Sequence, residues 1–120
     1  MDDTELLRYS RQIMLPELDI AGQQRLADAA VLIVGLGGLG SPLALYLASS
    51  GVGELVLVDD DHVDESNLQR QIVHTEASIG ANKAESAAAR IHALNKSTKL
   101  TSITHRLERK EFADLLETVQ

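Results

Sequence analysis

The sequence has no cysteine. That excludes a disulfide framework, a thiolate zinc site and a cysteine nucleophile among these residues. It also lacks any apolar run approaching the ~20 residues that a helix needs to cross a bilayer. The first residues, Met1-Asp-Asp-Thr-Glu5, are acidic and have neither the basic nor the apolar region of a signal peptide. A soluble, cytoplasmic protein without a membrane partner is the expectation. Basic residues are in the minority: 11 Lys and Arg against 18 Asp and Glu leave a net charge of −7. A general nucleic-acid binder presents a basic face, so none is expected as a partner, although a small cationic pocket for phosphates is still allowed. There is no internal repeat, linker or low-complexity segment. At 120 residues the chain is one domain at most, able to bury roughly two thirds of its unfolded surface.

Hydrophobic periodicity divides that domain into alternating elements. Thr4 to Met14 reads as one helix and Gly22 to Ala30 as a second, with Leu26 inward; together they form a helical N-terminal arm over about residues 1–30. Leu15-Pro16 interrupts the arm, because a residue before proline avoids the helical region. Val31 to Val34 is apolar at every position, as in a parallel strand covered on both faces. Ser41 to Ser50 reads as the crossover helix, with Pro42 in its first turn and Leu43, Tyr46 and Leu47 inward. Leu55 to Val58 is a second strand, and 60–79 a long polar connection of the kind that is usually functional or partly structured. Gly80 to Asn95 has an apolar helical stripe of Ala84, Ala87, Ala88, Ile91 and Leu94. Leu100 to Leu107 alternates as a third strand, and Glu108 to Val119 reads as a final helix. This order describes an α/β, Rossmann-like domain: a mostly parallel sheet with flanking helices, expected to be truncated after about three strands. Residues 1–120 are therefore expected to be the N-terminal part of a longer nucleotide-binding domain.

The strongest chemical signal is the run Val31-Leu-Ile-Val-Gly-Leu-Gly-Gly-Leu-Gly40. Gly35, Gly37 and Gly40 fit G-x-G-x-x-G, with Gly38 as an extra glycine. The motif follows a strand and opens a helix, which is the context it needs. Glycines let the backbone approach a phosphate, and the helix N-terminus points unused N–H groups at it. Asp59 ends the second strand 19 residues after Gly40, where a carboxylate can accept both hydroxyls of a ribose. Asp60 and Asp61 follow. They read either as part of the site or as a solvated acidic strand end. To this point NAD and ATP fit equally well.

The segment Asp64-Glu-Ser-Asn-Leu-Gln-Arg-Gln-Ile-Val-His74 separates them. Asn67 and Arg70 lie one helical turn apart, Gln71 is beside them, and Lys83 opens the next helix. Two cations beyond a glycine loop suit a triphosphate, whereas a dinucleotide's diphosphate needs no such set. From the residues alone Arg70 and Lys83 also read as surface charges paired with Glu65 or Glu85. Arg11, far upstream, reads either as a solvated helix face or as an arginine finger. The four histidines show no metal-ligand spacing. His74 sits in the connection without an identifiable partner.

Taken together, the chain resembles the ubiquitin-like-protein activating enzymes, in particular the bacterial MoeB- and ThiF-type adenylyltransferases. The stretches that carry the resemblance are Arg8-Tyr-Ser-Arg-Gln12, the glycine run 31–40, Gly51-Val-Gly53 with Leu57-Val-Asp-Asp-Asp61, Ser66-Asn-Leu-Gln-Arg-Gln71, and Gly80 with Lys83 and Glu85-Ser86. The resemblance implies binding of ATP and Mg²⁺ and adenylation of the C-terminal Gly-Gly carboxylate of a small ubiquitin-like sulfur carrier, of the MoaD or ThiS type, in molybdopterin or thiamin synthesis. It implies that Gly35, Gly37, Gly38 and Gly40 cradle phosphate, that Asp59 holds the ribose with Asp61 nearby, and that Ser66, Asn67, Arg70, Gln71 and Lys83 surround the phosphates. Arg70 and Lys83 would be catalytic together with Arg11, which would reach the partner subunit's ATP in a homodimer.

Members of that family are more than twice as long. An Asp that helps hold Mg²⁺ is expected after a fourth strand, and Cys pairs for structural zinc later still, so no metal ligand is expected within these 120 residues and the piece is expected to be inactive alone. An NAD-dependent oxidoreductase fragment explains Gly35 to Asp59 but leaves Arg11, Asn67, Arg70 and Lys83 without a role. A non-catalytic dimerisation or binding module of the same fold need not keep Asp59, Arg70 and Lys83. A relative that modifies tRNA fits the same motifs, but the acidic balance weakens that reading.

Overall fold

A computed structural model describes residues 1–119; Gln120, the last residue of the expected domain, lies outside the described residues. Three strands, Ala30–Val34 (β1), Glu54–Val58 (β2) and Lys99–Ile103 (β3), form a parallel sheet in the order β1-β2-β3. The register pairs Val31 with Leu55 and Leu55 with Leu100. Parallel strands need a crossover, and each here contains a helix: Gly40–Ser50 (α4) between β1 and β2, and Lys83–Leu94 (α5) between β2 and β3. Leu55, Val56, Leu57 and Val58 are all buried, so β2 is the centre of the fold. Ile33, Ala44, Ala48, Val52, Ala84, Ala87 and Ile91 close over it. Alanines on the inner faces of both helices let them lie close to the sheet. Full burial of one leucine, such as Leu55 or Leu57, contributes about 2 kcal/mol.

The N-terminal arm differs from the single helix expected over Thr4 to Met14. It forms two pieces, Asp3–Arg8 (α1) and Ser10–Ile13 (α2), followed by Asp19–Asp28 (α3). The break is at Tyr9, whose backbone leaves the helical region. Tyr9 is buried, and its hydroxyl accepts from the Asn95 Nδ2 amide at 2.9 Å. A tertiary contact 86 residues away in the chain overrides local helix propensity. Gln12 adds a second anchor, donating to Gln23 Oε1 and to the Ser50 carbonyl, both at 3.0 Å.

Leu43 and Tyr46 do not face inward. They are 49% and 70% exposed, and the buried face of α4 is Ser41, Ala44 and Ala48, with Leu47 half-buried. The fully buried positions of the helix are small residues, while Leu45 and Leu47 pack against the core partly buried. α5 begins at Lys83 rather than Gly80, because the Asn82 side chain caps it, accepting from the Ala84 and Glu85 N–H groups at 2.7 and 3.2 Å. β3 ends at Ile103 rather than Leu107; it is an edge strand with Lys99, Thr101 and Ser102 exposed. A last helix, Arg109–Leu116 (α6), follows. The connection 60–79 is partly structured, with 3-10 turns at Glu65–Asn67 and Glu76–Ser78 and with Val63, Gln71, Val73 and His74 buried. No described helix is long and apolar enough to cross a membrane.

Candidate functional site

The glycine loop leaves the C-terminal end of β1. The Gly35 N–H donates to the Val58 carbonyl at 2.8 Å, which extends the sheet ladder by one bond. The chain then turns at Gly35 with φ of +93°, a conformation that L side chains rarely adopt. Gly40 is required for a different reason: a Cβ there would collide with the Gly35 carbonyl, which is backbone and cannot yield. Leu36, between them, is anchored in every direction. Its side chain is fully buried. Its N–H donates to Asp59 Oδ2 at 2.8 Å, and its carbonyl accepts from Ser41 Oγ and lies 3.0 Å from His74 Nε2.

The next residues face outward. The N–H groups of Gly37, Gly38 and Leu39 donate to no acceptor among the described residues. A Cβ on Gly38 would meet nothing within 4 Å. Unused donors lining open space at a helix start make a cradle for an anion.

Asp59 stands at the end of β2, beside this cradle. Its Oδ2 accepts from Leu36 and its Oδ1 from the Asp61 N–H at 2.9 Å. Each carboxylate oxygen can accept a further bond, so the pinned side chain is still able to take a hydroxyl. The Asn82 Nδ2 amide donates to the Asp59 carbonyl at 2.8 Å, tying the start of α5 to the end of β2.

Lys83 is the cation the fold buries. Its side chain is 8% exposed, and Nζ lies 3.4 Å from Asp61 Oδ2, whose side chain is 71% exposed. Neither Glu65 nor Glu85 pairs with it. The Asp61 carboxyl is held below the usual carboxylate range, first by the His62 N–H and then by the Lys83 ammonium. A single long contact to an exposed carboxylate is readily exchanged for a better anion.

Arg70 is exposed and donates from Nη1 to the Ser66 carbonyl at 3.2 Å, one turn back in its own segment. Ser66 is exposed as well. Asn67 Oδ1 accepts from the Asp64 N–H at 3.3 Å, which leaves its amide N–H₂ for another acceptor. Gln71 is buried under the glycine loop: its Nε2 is 3.7 Å from where a Cβ of Gly37 would stand, and its Oε1 has no partner among the described residues. Arg11 stands apart. It is exposed on α2, next to Gln12, which bonds the far end of α4 at Ser50. An 11-residue helix is about 16 Å long, so most of α4 separates Arg11 from the cradle of its own chain.

One chain thus brings together Gly35 to Gly40, Asp59, Asp61, Gln71 and Lys83, with Asn67 and Arg70 in the adjoining turn. A groove of about 570 Å³ opens at the strand ends on the Gly35 and Asp59 side of this group, lined also by Val34, Val58, Arg106 and Phe112; Asn67, Arg70, Gln71 and Lys83 do not line it. That volume suits a small-molecule ligand. Sequence reasoning missed Val34, Val58, Arg106 and Phe112 as groove residues; strand-end position was the one available signal. It also missed His74, which has two partners rather than none: Nδ1 lies 2.8 Å from Ser86 Oγ and Nε2 3.0 Å from the Leu36 carbonyl. Burial holds the His74 imidazole below its ordinary pKa. Among the described residues no three His, Asp or Glu side chains gather as a metal site.

Several known proteins match nearly the whole chain. The sulfur carrier protein ThiS adenylyltransferase of Escherichia coli is 50% identical over 114 residues, which is 95% of this chain and 45% of that protein. The adenylyltransferase and sulfurtransferase MOCS3 of Mus musculus is 54% identical over 112 residues, 93% of this chain and 24% of that protein. The chain therefore spans between a quarter and a half of these relatives. Among solved structures, the tRNA N6-threonylcarbamoyladenosine dehydratase TcdA of E. coli, in complex with ATP, superposes with a TM-score of 0.87 at 31% identity, covering 97% of this chain and 47% of that one. PaaA superposes with a TM-score of 0.91 at 33% identity, covering 99% of this chain and 40% of that one. Residues 9–120 match the ThiF family, and the chain belongs to it.

Proposed function

We propose that this chain is the nucleotide-binding part of an ATP-dependent adenylyltransferase acting on the C-terminal Gly-Gly carboxylate of a ubiquitin-like sulfur carrier of the MoaD or ThiS type. The observation that carries this reading is an open glycine cradle joined through Asp59 and Asp61 to a buried lysine whose present partner, Asp61, is solvent-exposed. A dinucleotide needs the cradle but not the lysine. A triphosphate needs both, because negative charge has to be offset where the leaving pyrophosphate develops.

In the proposed reaction a carrier carboxylate oxygen bonds to the α-phosphorus as the α–β bridge bond breaks. The products are an acyl-adenylate and pyrophosphate. Proton transfer is not required, so placement and charge do the catalysis. Gly37 and Gly38 would direct N–H groups at the phosphates. Asp59 would accept from the ribose, and the groove between Val34, Val58 and Phe112 would cover the base. Gln71 Oε1, buried without a partner, is an acceptor poised under the cradle. Lys83 would exchange Asp61 for phosphate, and Arg70, exposed, would swing from the Ser66 carbonyl onto it with Asn67 beside it. Mg²⁺ bound to ATP would supply further neutralisation of the triphosphate. Arg11, exposed and remote from its own cradle, is suited to a partner subunit's ATP in a homodimer.

Identity to the ThiS adenylyltransferase is 50%, against 31% to TcdA, which favours a protein carrier over a tRNA substrate. Because the chain spans 45% of that adenylyltransferase, we propose that these 120 residues do not complete the reaction alone. The test is carrier-dependent exchange of labelled pyrophosphate into ATP by the full-length protein. Exchange is expected with a Gly-Gly carrier, and Arg70→Ala should lower it by about a hundredfold. Absence of exchange with both MoaD- and ThiS-type carriers, or a normal rate in Arg70→Ala, overturns the reading.

A further inference from the structure

His74 links two elements that the proposed chemistry needs at a fixed separation. On one side is the glycine loop, 38 residues earlier in the chain; on the other is α5, contacted 12 residues later at Ser86. Ser86 lies on the turn of α5 that follows Lys83. A carbonyl can only accept, so the contact of His74 Nε2 with the Leu36 carbonyl at 3.0 Å puts the proton on Nε2. In the neutral ring, the form that burial favours, Nδ1 is then bare and accepts from the Ser86 hydroxyl at 2.8 Å. The ring is buried, as are Ser86 and Leu36, so water does not substitute for either bond. The Leu36 carbonyl also accepts from Ser41 Oγ, on the first turn of α4. A peptide held from both sides in this way fixes the direction of the peptides that follow it, and those carry the unused N–H groups of the cradle.

We infer that His74 is a positioning residue: its neutral imidazole, wedged between the Leu36 carbonyl and the Ser86 hydroxyl, sets the distance between the glycine loop and the helix that carries Lys83. Both elements would meet the same phosphate chain, so a loose tether weakens ATP binding without removing any group that touches ATP. Its consequence for ATP rests on the adenylyltransferase reading; the tether itself does not.

The competing role is that of a core filler, in which shape matters and the ring nitrogens do not. Two substitutions separate these roles. His74→Phe keeps a ring of similar size and removes both hydrogen bonds. His74→Gln loses the ring and keeps an N–H donor near the position of Nε2. The full chain is probed without nucleotide by amide hydrogen exchange at Leu36 and Ser41, and with ATP and Mg²⁺ by calorimetry. In His74→Phe, exchange at both amides should quicken and ATP affinity fall, each by about tenfold, the scale of one buried hydrogen bond. His74→Gln should recover both to within about threefold of the parent. A Phe variant equal to the parent, or a Gln variant as impaired as Phe, overturns the inference. Should His74→Phe not fold, Ser86→Ala removes the donor to Nδ1 alone; it should quicken the same amides, and unchanged exchange overturns the tether. Should the parent bind no ATP, the adenylyltransferase reading fails while the exchange data still decide the role of His74.

Discussion

The glycine loop and the segment from Asp59 to Ser86 meet where the Leu36 N–H bonds Asp59, but they offer a ligand different groups. The loop offers backbone N–H donors, fixed by a left-handed turn at Gly35 and by the close approach of Gly40 to the Gly35 carbonyl. The segment offers side chains: Asp59 pinned by two N–H groups, Gln71 with a bare buried oxygen, and Lys83 held loosely by Asp61. Backbone donors need no reorganisation when a ligand arrives. The side chains have present partners to exchange, and Arg70 must leave the Ser66 carbonyl. The loop therefore supplies rigidity and position, while the segment supplies charge.

That division can be broken at several points. The largest effect is expected from Gly40→Ala. Its Cβ meets the Gly35 carbonyl, so the loop has to move; stability should fall by about 3 kcal/mol in denaturant unfolding, with ATP binding lost as well. Lys83→Met comes next. Its hydrocarbon stem is kept and its partner is solvated, so the thermal midpoint should hold while pyrophosphate exchange falls by about a hundredfold. Gly38→Ala sharpens the contrast with Gly40. The added methyl meets no protein atom, so stability should change by less than about 0.5 kcal/mol. It intrudes where the anion would sit, and calorimetry should find ATP affinity reduced by about tenfold, the cost of a poorly placed phosphate contact.

The smallest effect is a pH dependence. Burial depresses the His74 pKa below its ordinary 6.5, with the Lys83 ammonium acting in the same direction, while its bond to the Leu36 carbonyl and the charge of Asp59 oppose the shift. Above pH 6.5 the ring is neutral in both folded and unfolded chains, and its contribution to stability is complete. Below that, the unfolded chain takes up a proton first, so stability falls with pH until the folded pKa is reached. Unfolding midpoints taken between pH 8 and pH 5 should carry this component in the parent and lack it in His74→Gln. A slope of equal size in both proteins would assign the dependence to other groups.

The backbone half of the site was legible in the sequence. Glycine spacing, an apolar strand before it and an acidic strand end after it each report local geometry, and the sheet follows from the same periodicities. What escaped depends on contacts between distant residues. His74 looks idle until folding brings the Leu36 carbonyl to its ring. Tyr9 looks helical until Asn95 draws it inward. Leu43 and Tyr46 look like core by their size, yet the residues of α4 that the fold fully buries are the small Ala44 and Ala48. Lys83 was recognised as a cation of interest, but its partner Asp61, rather than Glu85, is fixed by the cap at Asn82 and not by sequence proximity.

The most direct measurement is a calorimetric titration of the full-length protein with ATP and Mg²⁺, and separately with NADH, repeated on Lys83→Met. The expected result is saturable binding of ATP, weak or absent binding of NADH, and a loss of ATP affinity in Lys83→Met. NADH binding as tightly as ATP, with Lys83→Met unchanged, would contradict a site built for a triphosphate.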